Sequence, residues 1–361
     1  MIIKSIELRN FRNYENLDIH LDEGTNILYG DNAQGKTNIL EAIYVCCTTK
    51  SHRGAKDKEI IRFHEEESHI KLGIERDGVP CRIDMHLKKN KTKGIAVNGI
   101  PVHKASELFG IANVVFFSPE DLNIIKEGPA GRRRFIDLEL SQLDKVYLSN
   151  LSNYNRIINQ RNSLLKEIVY QKDLIDTLDI WDMQLAEYGT KIIERRKKFI
   201  DEVNRIIGGI HEKLTGGREN IELSYESSAG ELSMEEMLRK NRERDIRFKS
   251  TSAGPHRDDL CFRVGDLDIR KFGSQGQQRT AALSLKLSEI ELVKMLIHDT
   301  PILLLDDVLS ELDKNRQNYL LDSIHDIQTV ITCTGLDEFV NHRFSINKIF
   351  YVKNGTVAKE N

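Results

Sequence analysis

Cysteine is sparse and unpatterned in this chain. Its 361 residues hold five: Cys46, Cys47, Cys81, Cys261 and Cys333, with no CxxC spacing. Neither a disulfide framework nor a zinc site is expected, and a reducing cytoplasm fits best. No apolar run approaches the length that spans a bilayer, and the N-terminus lacks the apolar core of a signal peptide. A cytoplasmic protein with no membrane partner is expected. Charge of one sign is also missing. The net charge is -3, so nucleic acid would have to be held by local basic patches. Internal repeats, low-complexity tracts and a long coiled coil are absent. The length allows two domains, or one domain with a large insertion.

What is present reads as α/β. Leu17, Ile19 and Leu21 alternate with Asp18, His20 and Asp22, the period of a half-buried strand. Residues 25–29 read as a strand entering a Gly-rich loop, and 38–47 as the helix leaving it. Ile70, Leu72 and Ile74 alternate up to Asp77-Gly78, and Ile83, Met85 and Leu87 alternate on the return. Asn98-Gly99 marks a further hairpin, with a polar tip at residues 88–93. Residues 114–117 look like a buried strand. From about 120 to 245 the chain is highly charged and helix-like, with a helix start at Gly128-Pro129 and a break between two helices at Gly216-Gly217. Sheet signals return at 260–264, 302–305, 329–332 and 349–352. The expected organisation is a head of residues 1–117 plus 246–361 with an inserted helical lobe of 118–245.

Three motifs carry the chemistry. Gly30, Asp31, Asn32, Ala33, Gln34, Gly35, Lys36 and Thr37 match GxxxxGK[ST]. Glycines let the backbone wrap phosphates, Lys36 would reach the β- and γ-phosphates, and the Thr37 hydroxyl would hold Mg²⁺. Asp306 follows four apolar residues, so it belongs at the carboxyl end of a central parallel strand, where open α/β sheets bind ligands. It would serve Mg²⁺ through water, and Asp307 would orient and deprotonate an attacking water. Ser274, Gln275, Gly276, Gln277 and Gln278 would cap a helix over 280–297, whose positive end is an anion site. In that helix Leu283, Leu287 and Ile290 share one face, widened by Leu285, Leu292 and Leu296. Taken alone, the motifs also suit a Gly-rich turn, a solvated strand end and an ordinary Ser N-cap. Together they suggest an ATPase that completes its site by pairing two copies.

This set, with Ser310-Glu311-Leu312-Asp313, resembles the ABC-type ATPase heads of the SMC-like repair proteins. The match narrows to the RecF family through residues 8–14 (LRNFRNY), 117–122 (FSPEDL), 128–135 (GPAGRRRF) and 254–259 (GPHRDD). The resemblance implies an ABC-type P-loop head with an antiparallel β subdomain and an inserted helical lobe. It implies a weak, DNA-stimulated ATPase that uses ATP and Mg²⁺ and dimerises on ATP. Such a protein binds single- or double-stranded DNA at gaps, and works with RecO and RecR to load RecA in repair, replication restart and SOS induction. It further implies that Ser274 and Gly276, with Gln277, meet the γ-phosphate of the other copy, and that Asp313 couples the two sites. Arg12 and Asn13 would approach the nucleotide, although a solvated turn reads equally well there.

The chain departs from the general ABC pattern at three points. Asp307 stands where Glu is usual, Thr334 at the switch His, and Ser118 at the Gln, where Glu120 or a water would substitute. Basic clusters at Lys88/Lys89/Lys91/Lys93, Arg132/Arg133/Arg134, Arg195/Arg196/Lys197/Lys198 and Arg239/Lys240/Arg242/Arg244 are candidate phosphate contacts. Each is also readable as a solvated helix face, and Arg132–Arg134 as braces of the head. The cluster at His256, Arg257, Asp258 and Asp259 reads as a loop rather than a metal site. Two other readings stay open: a nucleotide-gated structural DNA clamp with incidental hydrolysis, and the nucleotide-binding subunit of a transporter.

Overall fold

The computed structural model describes residues 1–230, 232–336 and 346–360. The chain divides into two compact units, Met1–Leu122 with Glu289–Asn361, and Asn123–Ser288. In chain order the elements are β1 (Ile2–Phe11), β2 (Tyr14–His20), β3 (Thr25–Tyr29), α1 (Lys36–Thr48), α2 (Asp57–Ile60), β4 (Glu67–Arg76), β5 (Val79–Lys88), β6 (Gly94–Val97), β7 (Ile100–Pro101) and β8 (Val114–Phe117). Then come α3 (Pro129–Leu143), α4 (Lys145–Glu167), α5 (Leu178–Thr215), β9 (Ile221–Glu226), α6 (Met234–Phe248), β10 (Asp259–Val264), β11 (Leu267–Asp268), α7 (Ile269–Phe272) and α8 (Gln275–Ile297). The last are β12 (Ile302–Asp306), α9 (Lys314–Ser323), β13 (Thr329–Cys333), β14 (Lys348–Lys353) and β15 (Thr356–Glu360).

The first unit holds two sheets. One is antiparallel, in the order β2-β1-β4-β5-β6-β7. Its alternation of buried Ile70, Leu72 and Ile74 against Ile83, Met85 and Leu87 follows the expected period. A register shift between Ile3 and Ser5 explains why the buried positions of β1 step from Ile3 to Ile6 rather than by two. The other sheet has the order β15-β14-β3-β13-β12-β8. Strands β14, β3, β13, β12 and β8 run parallel, and β15 returns antiparallel at the edge. Strands β12 and β13 are buried at every position, which is why neither alternates apolar with polar residues and β12 reads as four apolar residues before Asp306.

The second unit differs from the expected lobe in three ways. Gly216 does end a helix, in the left-handed conformation with its N–H bonded to the carbonyls of Glu212 and Lys213. The chain then enters strand β9 rather than a second helix. Strand β9 pairs with β10, and β10 with β11, so the unit runs on to Ser288 instead of closing at 245. Much of its charge is also internal. Arg161 is buried, with Nε donating to Asp182 at 2.6 Å and Nη1 to Asp245 and Thr251 at 2.8 Å each. These contacts tie α4 to α5, α6 and the segment after α6. Removing one member of such a group leaves a buried charge uncompensated.

Helix α8 is buried around most of its circumference. Leu283, Leu285, Leu287, Ile290 and Leu292 are buried as expected, but so are Ser284, Lys286, Ser288 and Glu289, while Leu296 is exposed. The expected stripe is too narrow at its centre and runs too far at its end.

Candidate nucleotide site

The phosphate-binding loop joins β3 to α1. Gly30 has φ 146° and Gly35 has φ 116°, values that favour glycine. Space decides as well: a Cβ on Gly35 would lie 2.5 Å from Asn13 Nδ2 and 2.9 Å from the Tyr14 hydroxyl. Gly35→Ala is therefore expected to cost about 1–3 kcal/mol of stability through backbone strain and to weaken nucleotide binding. Urea unfolding and titration with a fluorescent ATP analogue would check both.

The loop is held from two sides. Asn13 donates from Nδ2 to the Gln34 carbonyl at 2.9 Å, and its Oδ1 accepts from Asn38 at 2.8 Å. The Asn354 N–H donates to Gln34 Oε1 at 2.7 Å, and the Gly355 N–H to the Gln34 carbonyl at 3.2 Å. Asn354 and Gly355 are the turn between β14 and β15, both at positive φ, a hairpin signal of the same kind as Asn98-Gly99. Lys36 is buried, and its Nζ donates to the carbonyls of Gly30 and Asp31 at 2.5 and 2.9 Å. The ammonium thus lies folded over the loop that would receive phosphate.

The carboxylates stand where the topology requires. Asp306 ends β12 and is paired in register with Thr332 of β13. The Thr37 hydroxyl donates to Asp306 Oδ1 at 2.7 Å, and the Thr332 hydroxyl donates to the same oxygen at 2.8 Å. Burial raises the Asp306 pKa above the usual carboxylate range, against those two hydrogen bonds. Asp307 has φ 54°, a strained value for a residue with a Cβ. Its N–H donates to the Thr332 hydroxyl at 3.0 Å. Burial raises its pKa too, with Lys36 opposing and Glu311 adding to the rise. Thr332 therefore positions both carboxylates, a role that motif reading missed. Its signal was a hydroxyl next to the last residue of a short, wholly buried strand, Thr329–Cys333, beside the Asp306 strand.

Arg12 and Asn13 have separate jobs. Arg12 donates from Nε and Nη2 to the two carboxylate oxygens of Glu41, at 2.8 and 2.7 Å, and from Nη1 to the Glu59 carbonyl at 3.0 Å. Glu41 is wholly buried in α1. Burial works to raise its pKa, and the hydrogen bonds from Arg12 and Ser51 outweigh it, leaving the carboxyl below its ordinary value. Arg12 is thus a brace of α1 through a bidentate pair, and neither residue lies in a merely solvated turn. Asp313 caps α9, accepting from the Arg316 N–H at 3.0 Å. Ser118 is engaged with Asp121, which accepts from its N–H at 2.8 Å and its hydroxyl at 3.0 Å. Thr334 is exposed.

The second unit carries the Ser274 motif. Ser274 Oγ accepts from the Gln277 N–H at 3.2 Å, and Gln277 Oε1 accepts from the Ser274 N–H at 2.9 Å. This reciprocal pair is a capping box at the start of α8. Gln277 Nε2 then donates to Glu219 at 2.9 Å, and Glu219 lies 3.4 Å from the buried His211. Ser274, Gln275 and Gly276 are all exposed. Gly276 has no positive φ, and the nearest atom a Cβ would meet is Ser274 Oγ at 3.9 Å.

Several candidate basic residues are internal instead. Arg132 is buried, holding both Asp259 oxygens at 2.7 and 2.9 Å. Arg196 is buried against Asp137, Tyr147 and the Pro255 carbonyl. Asp258 accepts from the Tyr225 hydroxyl at 2.6 Å, and His256 meets Tyr154 at 2.7 Å, so the 256–259 cluster is a packed loop. Lys91, Arg134, Lys197, Lys198, Arg239, Lys240 and Arg244 remain exposed.

The parallel sheet, its loop-to-helix phosphate cradle and the paired carboxylates define an ABC/SMC-type P-loop head. An SMC head bound to the C-terminal winged-helix domain of ScpA shares this fold, with a TM-score of 0.58 at 16% identity. The RecF/RecN/SMC N-terminal domain family matches residues 2–358. The DNA replication and repair protein RecF of Lachnospira eligens is 66% identical over 100% of both chains. That of Agathobacter rectalis is 65% identical over 99% of each. A solved structure of the recombination mediator protein RecF with ATP, in the RecFOR pathway, superposes with a TM-score of 0.93 at 37% identity, covering 99% of this chain and 97% of that one. The chain belongs to the RecF family. Among the described residues no helix is long and apolar enough to cross a membrane.

Proposed function

We propose that the chain is an ATP-dependent, DNA-binding recombination mediator whose switch is ATP-driven pairing of two copies. The observation that carries this is the exposed, pre-built start of α8. A Cβ on Gly276 would make only an ordinary 3.9 Å contact with Ser274 Oγ, and the backbone there is ordinary, so nothing within the chain demands glycine. Glycine is costly in a helix relative to alanine, and its use fits close approach of a phosphate to the exposed N–H groups. Phe272, 70% exposed just before the motif, suits a contact with a second copy.

The residues fit ATP and Mg²⁺. Lys36 would turn from the loop carbonyls to the phosphates, and the N–H groups of residues 30–37 would donate to them. Thr37 and Asp306, already 2.7 Å apart, would hold Mg²⁺, whose contribution is to neutralise phosphate charge. A buried carboxylate with a raised pKa gains from a cation partner. Asp307 would take the proton of the attacking water, and Ser274 and Gly276 of the second copy would hold the γ-phosphate. Asp313 would couple the two sites. The shorter side chain at Asp307 fits slow turnover that resets the dimer.

Family membership supports action with RecO and RecR at gapped DNA, and through them on RecA. Exposed Lys91, Arg134, Lys197, Lys198, Arg239, Lys240 and Arg244 are phosphate contacts the geometry leaves available. Light scattering with and without ATP and Mg²⁺, then with gapped duplex, tests the proposal. A monomer that doubles in mass only with ATP, and then binds DNA with strong salt dependence, is expected. A mass indifferent to ATP would overturn it.

A further inference from the structure

Strands β4 and β5 bring two histidines and a carboxylate to one point on the antiparallel sheet. His69 and His86 are direct cross-strand partners. Their rings stack with centroids 3.9 Å apart and planes 19° apart. Glu67 lies two residues before His69 and so shares its face. Its Oε2 is 3.1 Å from His86 Nε2, and its Oε1 is 3.7 Å from His69 Nε2. The three ligand atoms all lie within 4.8 Å of one another. A tetrahedral Zn²⁺ with bonds of about 2.0–2.1 Å sets its ligand atoms roughly 3.3 Å apart, so the set closes once side-chain rotation splays the two stacked rings toward one point.

We propose that Glu67, His69 and His86 form a binding site for a divalent first-row transition ion, Zn²⁺ above all, that ties β4 to β5, with water completing the coordination. Imidazole and carboxylate suit that ion class better than Mg²⁺ or Ca²⁺, which prefer all-oxygen sites. Coordination would displace the proton shared where His86 Nε2 meets Glu67 Oε2 at 3.1 Å, as metal binding to imidazole releases protons in general. The seat already draws a cation: Lys88 Nζ sits 3.1 Å from Glu67 Oε2. A metal ion would displace this exposed, flexible ammonium. Arg9, in register with His69 on β1, works against the ion, so affinity stays moderate. Cysteine spacing gave no hint of this site because strand pairing, not a local motif, assembles it. The inference is independent of the nucleotide chemistry.

Calorimetric titration of the full, metal-stripped chain with ZnCl₂ at pH 7.5 tests it, with Co²⁺ absorption as a second readout of histidine ligation. One equivalent binding with Kd near or below about 10 µM is expected. His69→Ala and His86→Ala should each weaken it at least tenfold while leaving the melting temperature of the metal-free protein near wild type. Lys88→Ala should tighten it. No binding below about 100 µM, or binding that neither histidine substitution weakens, would overturn the proposal.

Discussion

Asp307→Asn is expected to reduce ATP turnover by about 10²–10⁴-fold, the usual contribution of a general base, and to leave long-lived ATP-bound dimers on DNA. The carboxylate is half-buried just past the end of β12, its backbone held at φ 54° and anchored to Thr332. Asparagine keeps the shape and tolerates the left-handed conformation, so the loss would be chemical. Single-turnover hydrolysis and DNA dissociation rates check it. Unchanged DNA lifetime beside lost hydrolysis would favour a clamp in which hydrolysis is incidental. The wild-type pH profile should agree: activity falls on the acid side through a pKa above the usual carboxylate range, since burial raises that of Asp307.

The same shift has an opposite consequence for stability. A carboxyl whose folded pKa is raised binds more protons folded than unfolded, so stability falls as pH rises through that window. Asp306 and Asp307 are both raised. The nucleotide-free protein should therefore lose stability as pH climbs from the ordinary carboxylate pKa through their raised values. Asp307→Asn should resist heat slightly better than wild type at neutral pH. A variant that is inactive yet more stable would show that the burial serves the reaction, not the fold.

Ser274→Arg is expected to abolish ATP-driven dimerisation and leave ATP binding by the monomer nearly unchanged. Ser274 is exposed, and its Oγ caps α8 by accepting from Gln277. Losing that cap costs about 0.5–2 kcal/mol locally, which the extensively buried α8 should survive. The long cation would fill the space a second copy must enter. Sedimentation with ATP and Mg²⁺, beside a nucleotide titration at concentrations too low for pairing, separates the two effects. A large fall in monomer affinity would contradict the assignment of Ser274 to the other copy's nucleotide.

Legibility from sequence depends on how local each signal is. The phosphate loop, Asp306 at its strand end and the turns at Asp77-Gly78 and Asn98-Gly99 can all be read, because each rests on contiguous residue types with fixed backbone demands. The Asn354-Gly355 turn carries the same signal, and with it comes β15. The break at Gly216 is legible as a helix end; that a strand comes next depends on β10, more than thirty residues downstream, offering its edge. Arg196 reads as a solvated helix face in the sequence, and Arg132 as either that or a brace of the head, because the acids that hold them, Asp137 and Asp259, are far away along the chain.

The sequence by itself determined the class of site: glycine spacing, a lysine and a threonine at a helix start, and two carboxylates after an apolar run. Those depend on chemistry within a few residues. Only the tertiary structure decided which groups support it. Parallel pairing of β12 with β13 sets Thr332 against both aspartates. Packing of α1 gives Arg12 its partner in Glu41. Pairing of β4 with β5 stacks His69 on His86. In each case the partners lie 17 to 29 residues apart or on different strands, and a contact of that range is fixed by register and burial, which no local residue pattern contains.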